Sequence, residues 1–191
     1  MVRMVDAFVL AVTLAISAIN TADAEPQRFT LSSPAFNDNA MLPLKYAGGA
    51  LCGSDSRGGN FSPPLAWSSP PPGTRSFAVL MIDPDGQRGI GSLHWVAYGI
   101  PAERRELKEG EGGAPPASDI INGKNSRGAM GYTGPCGPPT DAPHHYVIDV
   151  VALDLAPDAL PPGLDREQLL KSIGGHSLGP ASLVVRYRRE P

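Results

Sequence analysis

Residues 77–82 read Phe-Ala-Val-Leu-Met-Ile, an unbroken apolar run that stops at Asp83-Pro84-Asp85. On an extended chain, successive side chains point to opposite faces. Phe77, Val79 and Met81 therefore line one face, and Ala78, Leu80 and Ile82 the other. Such a strand has to be covered on both sides, which places it at the centre of a sheet and predicts a sandwich.

Further strand-like runs fall at 42–46, 65–67, 93–100, 146–153 and 182–188. The 22 glycines and 21 prolines are spread between these runs, as the turns joining many short strands require. One helix is well marked: Asp165 can cap it with Gln168 reaching back, Leu169, Leu170 and Ile173 supply an apolar face, and Gly174 or Gly175 ends it. Residues 101–107 suggest a further short helix, and the glycine- and proline-rich stretch 108–116 a loop. The predicted fold is mainly β, an antiparallel β-sandwich of two sheets with a few short flanking helices, one near the C-terminus. No internal repeat and no linker marks a second domain.

The first 24 residues have the composition of a secretory leader: Arg3, an apolar run over 7–19, then Ala22-Asp23-Ala24 in the small-x-small pattern read by signal peptidase. The run is short for a membrane span, and Asp6 is atypical of such a leader; an uncleaved helix or anchor is the alternative. The reading adopted is a signal peptide over 1–24 and one domain over 25–191, exported to the periplasm or secreted, with no integral membrane span after cleavage. A formal charge of −3 gives nucleic-acid binding no electrostatic support.

Polar, chemistry-bearing residues gather at the ends of the apolar runs: Asp83 and Asp85, His94-Trp95, Gly131-Tyr132-Thr133-Gly134-Pro135-Cys136, and His144-His145-Tyr146. Strand ends on a rigid scaffold are where a pocket for a small ligand draws its lining. Alternation puts His144 and Tyr146 on one face and His145 on the other, and it puts His94 on the face of Val96 and Tyr98. Taken singly, a histidine on an apolar strand is most often a satisfied core or edge residue, so the argument rests on the set.

Together with Ser62-Pro63-Pro64-Leu65 and Trp67, with Pro72-Gly73-Thr74-Arg75-Ser76-Phe77, and with Gly175-His176, Leu178, Ala181, Leu183 and Tyr187, these motifs resemble the phosphatidylethanolamine-binding protein family, in its bacterial branch often labelled Raf-kinase-inhibitor-like. The resemblance runs from about Phe29 to Tyr187. It implies a pocket made by Asp83, His94, His144 and Tyr146 with the Gly134-Pro135 backbone beside them, and it does not select His145. It also implies association with phosphatidylethanolamine headgroups and inhibition of kinases or proteases, although an exported protein does not meet cytoplasmic kinases. The chain departs from the family at Gly137 and at Thr140-Asp141-Ala142-Pro143, which lengthen the connection to His144.

The chemistry of this set is anion capture. Imidazoles donate hydrogen bonds and, when protonated, carry charge; a tyrosine adds a neutral donor, and turn amides can complete a nest around oxygens. Asp83 would either fix an imidazole tautomer and raise its pKa, or accept from the ammonium of an ethanolamine headgroup. His176 is either structural or at the pocket rim.

Two enzyme-like readings compete. Gly175-His176-Ser177-Leu178-Gly179 matches a nucleophile elbow, but here a helix precedes and a strand follows, the reverse of the required order, and residues 178–191 hold neither Asp nor His to complete a triad. Asp83, His94 and His144 form a conceivable facial triad for a metal, as in a metal-dependent or phosphoester hydrolase, yet no His-x-x-x-His, His-Glu-x-x-His or Cys-x-x-Cys accompanies them. The two cysteines, Cys52 and Cys136, are either separate thiols or a pair; export and an even count favour a disulfide. The reading is a binding protein for a small anionic or phosphate-bearing ligand, not an enzyme. It has no metal and no cofactor, is a possible inhibitor or modulator of a protein partner, and is either a monomer or a homodimer.

The leader predicts a mature chain that begins at Glu25. Intact mass spectrometry of protein from an envelope fraction checks this, and a chain that still starts at Met1 rejects both cleavage and export.

Overall fold

The burial demanded by residues 77–82 is met by layers on both sides of the strand they form. The computed structural model describes residues 27–52, 57–117 and 119–189, so the leader lies outside the described residues. In chain order the strands are β1 (Thr30–Ser32), β2 (Ala40–Met41), β3 (Leu65–Ser68), β4 (Ser76–Asp83), β5 (Ser92–Pro101), β6 (Glu106–Leu107), β7 (Ile121–Asn122), β8 (His144–Leu153) and β9 (Ser177–Tyr187). A single helical turn, α1 (Gly86–Gly89), follows β4, and α2 (Arg166–Ile173) precedes β9. The larger sheet has the order β2-β9-β8-β4-β5-β7 and the smaller one β1-β3-β6. All pairings are antiparallel except the short β2–β9 contact.

Phe77, Val79 and Met81 pack with Leu31, Leu65, Trp67 and Leu107 of the small sheet and with alternate residues of β8 and β9. Ala78 and Leu80 pack on the opposite side with Val96, Tyr98, Leu169 and Ile173, closed over by Leu155, Leu160 and Leu164. The molecule is thus a two-sheet sandwich whose outer face is covered by α2 and the chain leading into it. Helix α2 begins as its sequence predicts: the Asp165 side chain accepts from the Gln168 amide, and the Gln168 side chain accepts from the Asp165 amide.

Two expectations are corrected. Residues 42–46 do not form a strand: only Ala40–Met41 pairs with β9, and Leu44–Tyr46 winds into a 3-10 turn closed by the Tyr46 and Ala47 amides on the Pro43 and Leu44 carbonyls. Pro43 has no N–H to donate to a ladder. Residues 101–107 do not form a helix either, because Glu106–Leu107 adds a third strand beside β3 and buries Leu107, a gain in packing that overrides local preference. The 108–116 segment is a loop, as expected.

Cys52 and Cys136 form a disulfide with Cα atoms 5.3 Å apart, joining positions separated by 84 residues. The bond ties the 48–52 segment to the Gly134-Pro135-Cys136 turn, and the Gly48 amide donates to the Pro135 carbonyl at 2.8 Å beside it. Gly48 leaves room for both sulfurs, since a Cβ there would collide with each. Loop closure of this length stabilises a fold by constraining the unfolded chain. Replacing both cysteines by serine should therefore lower the unfolding free energy by about 2–5 kcal/mol. Guanidinium denaturation of oxidised wild type and of the double variant checks this, and coincident midpoints would show that the crosslink adds nothing.

Candidate ligand-binding site

Asp83 ends β4, and its carboxylate is divided between two tasks. Oδ1 accepts from the backbone amides of Asp85 and Gly86 at 3.0 and 2.9 Å, the local turn expected of Asp before Pro-Asp-Gly. Oδ2 faces inward, where Nδ1 of His144 lies 2.9 Å away. The residue is only 3% exposed, so this orientation is held by its partners rather than by solvent.

His144 and Tyr146 share a face of β8, as alternation predicts, while His145 points the other way and pairs with Asp85 at 2.9 Å, about half exposed. The other imidazole nitrogen of His144, Nε2, is 3.5 Å from Asp141 Oδ2. Burial would lower the His144 pKa, but the hydrogen bond with Asp83 and the charges of Asp83, Asp85 and Asp141 outweigh it and hold the pKa above the usual histidine value. Tyr146 is buried, and its pKa is driven far upward by burial and by Asp83, so it stays a neutral phenol.

His94 reaches the site by a route that alternation does not predict. Met81 pairs with Trp95 and Ile82 with Leu93, so His94 is an extra residue at a bulge in β5. The bulge turns His94 away from the face of Val96 and Tyr98, where it was expected, and onto the face of Tyr146. There the two rings meet edge to face, with centroids 5.2 Å apart. His94 Nδ1 donates to the Thr133 carbonyl at 2.7 Å, which leaves Nε2 facing Asp83 Oδ2 at 3.9 Å. Burial holds its pKa below the usual value, against the Thr133 hydrogen bond and the Asp83 charge that would raise it. Two histidines thus share one carboxylate oxygen and are driven in opposite directions.

The 132–136 segment supplies the adjoining wall. The Gly134 amide donates to Asn60 Oδ1 at 2.8 Å, and Pro135 has no N–H, so neither residue turns an amide donor towards the histidines. Asn60 escaped the sequence reading, and Thr133 and Asp141 entered it only as members of the 131–136 and 140–143 motifs, because nothing in their local pattern marks a residue that holds another segment's backbone or ring. Thr133 and Asn60 also border a neighbouring surface cleft of about 440 Å³, lined as well by Phe61, Pro115, Met130 and Tyr132. His176 pairs with Asp154 at 2.7 Å beyond the far end of β8, so it does not rim this site. Ten strand residues, about 30 Å, separate the two ends. Among the described residues no three His, Cys, Asp or Glu side chains are arranged to hold a metal ion.

A model of the phosphatidylethanolamine-binding protein family matches residues 32–188. A UPF0098 protein of Methanothermobacter thermautotrophicus is 37% identical over 160 residues, covering 83% of this chain and 98% of its own. LppC of Mycobacterium tuberculosis, named as a candidate lipoprotein, is 34% identical over 164 residues, covering 86% of this chain and 73% of its own. The crystal structure of Escherichia coli YbcL, described as a new member of the mammalian PEBP family, superposes with a TM-score of 0.77 at 29% identity, over 85% of this chain and 99% of that one.

The opposed environments of the histidines predict separate titrations. His144 should titrate above about 6.5 and His94 below it, the ordinary histidine value. For stability the signs differ. The contribution of His144 is complete below its unfolded value and is lost as pH rises through its raised folded value; that of His94 is complete above 6.5 and is lost as pH falls through its lowered one. Imidazole NMR titration of wild type and Asp83→Asn checks this: the His144 midpoint should fall in the variant, and an unmoved midpoint would show that Asp83 does not set it.

Proposed function

We propose, from the premise that this chain belongs to the phosphatidylethanolamine-binding protein family, that it is a non-enzymatic binding protein whose Asp83–His94–His144–Tyr146 site takes a small anionic, phosphate-bearing group such as a phosphoethanolamine headgroup. The observation that carries this reading is the anchoring of His144 Nδ1 on Asp83. It turns Nε2 into the outward nitrogen of a ring whose protonation is favoured, which is a charge-assisted donor for an oxyanion. His94 and the neutral phenol of Tyr146 stand beside it, and Gly134 and Pro135 form the wall.

The hydrogen bonds of Asp83 favour binding over hydrolysis. With Oδ1 held by two amides and Oδ2 by His144, the carboxylate orients an imidazole and is poorly placed to activate a water. An extracytoplasmic location, periplasmic or secreted, is supported by the disulfide and by the lipoprotein name of one relative. A role as an inhibitor or modulator of a partner would then act through occupancy of this site.

Calorimetric titration with phosphoethanolamine and with sulfate tests the site. His144→Ala should weaken binding by about 1.5–3 kcal/mol, the scale of a hydrogen bond to a charged group, and His145→Ala should leave it nearly unchanged. Sulfate keeps its charge, so its affinity should fall as pH rises through the His144 titration. Equal losses in the two variants, or binding untouched by either, would place the ligand elsewhere.

A further inference from the structure

His144 has two ring nitrogens, and Asp83 occupies one of them. Only Nε2 remains for a ligand, and Asp141 already presents Oδ2 to it at 3.5 Å, an ion-pair distance. Asp141 reaches this position from a turn closed by its own amide on the Pro138 carbonyl. Its side chain is 43% exposed against 16% for His144, so it stands on the solvent side of the ring, where a ligand would approach. It also sits in the 137–143 connection that joins the Gly134-Pro135-Cys136 turn to His144.

We infer that Asp141 is a specificity-determining residue: its carboxylate stands at the ring nitrogen that would receive an anion, so the site disfavours a bare anion and favours a ligand that carries a positive group with its negative one. The charges facing His144 are the carboxylates of Asp83, Asp85 and Asp141, with the His94 ring and the Tyr146 phenol alongside; the cation acting on His94 is Arg127. A simple anion has to enter among three carboxylates and displace one of its own sign from Nε2. A ligand with an ammonium a few bonds from its oxyanion pairs that ammonium with Asp141 and gives the oxyanion Nε2. The exposure of Asp141 keeps the effect moderate, because water and salt screen it.

The inference rests on the anion-binding reading, so the test separates the two. Taurine and isethionate both carry a sulfonate of constant charge on a two-carbon chain, with an ammonium in one and a hydroxyl in the other. Calorimetry is run on the mature chain at low ionic strength and at pH below about 6.5, where His144 is protonated. Wild type should bind taurine several-fold more tightly than isethionate, and Asp141→Asn should tighten isethionate by up to about fivefold and erase the preference, the range of an exposed ion pair. Asp158→Asn, an exposed carboxylate lost elsewhere, controls for net charge and should change neither affinity. If isethionate binds wild type and Asp141→Asn equally, or tightens as much in Asp158→Asn, the role of Asp141 is overturned while the anion site stands. If neither sulfonate binds any of these proteins and phosphoethanolamine does not either, the anion site itself fails, and the role of Asp141 with it.

Discussion

Burial of β4 on both faces is the constraint from which the architecture follows. A strand apolar on alternate and intervening positions alike needs a partner layer on each side, and the chain provides the small sheet on one and α2 with its approach on the other. The same strand runs out of apolar residues at Asp83, still at 3% exposure. A carboxylate at the edge of a double-sided core has to be satisfied by hydrogen bonds, and every group that satisfies it is thereby fixed in space. The site is in this sense the polar end of the core rather than a separate addition.

From Asp83 the positions of the other residues can be traced through its two oxygens. Oδ1 is consumed by the turn that leads the chain away from β4, which leaves Oδ2 to face the two histidines. His144 takes the short contact and His94 the long one, 2.9 against 3.9 Å. The difference in distance, together with the deeper burial of His94, explains why one ring is pushed towards its cation and the other towards neutrality. A single oxygen thus differentiates two residues of the same type, one suited to hold charge and one suited to hold shape.

Much of this was legible in the sequence, and the reasons are local. The two faces of residues 77–82, the capping box at Asp165 and the shared face of His144 and Tyr146 all depend on periodicities that the backbone enforces without help. His94 was found as a motif residue but assigned to the wrong face, because a bulge inserts one residue and inverts every parity on one side of it. Residues 42–46 and 101–107 misled for another reason: a proline without a donor and a buried Leu107 decided those segments through tertiary pairing. Asn60 carries no sequence signal, and Thr133 is marked only as part of the 131–136 motif. Asn60 accepts from the Gly134 amide through its side chain, and Thr133 meets His94 through its backbone carbonyl and amide, a role that residues of other types could also fill.

Three segments distant in sequence have to meet for the site to exist, and each is restrained by a different kind of bond. The end of β4 and the start of β8 are neighbours in one sheet, so ladder hydrogen bonds fix Asp83 against His144. His94 is held by β5 and by reciprocal bonds with Thr133, whose amide donates to the His94 carbonyl at 2.8 Å. The 134–136 wall belongs to no strand. It would pay loop entropy to stay in place, and it is there that the Cys52–Cys136 crosslink, the Gly48 amide on Pro135 and the Asn60 side chain on Gly134 converge. A covalent restraint stands where the sheet gives least support, so the segment beside His94 is ordered as part of the folding reaction itself.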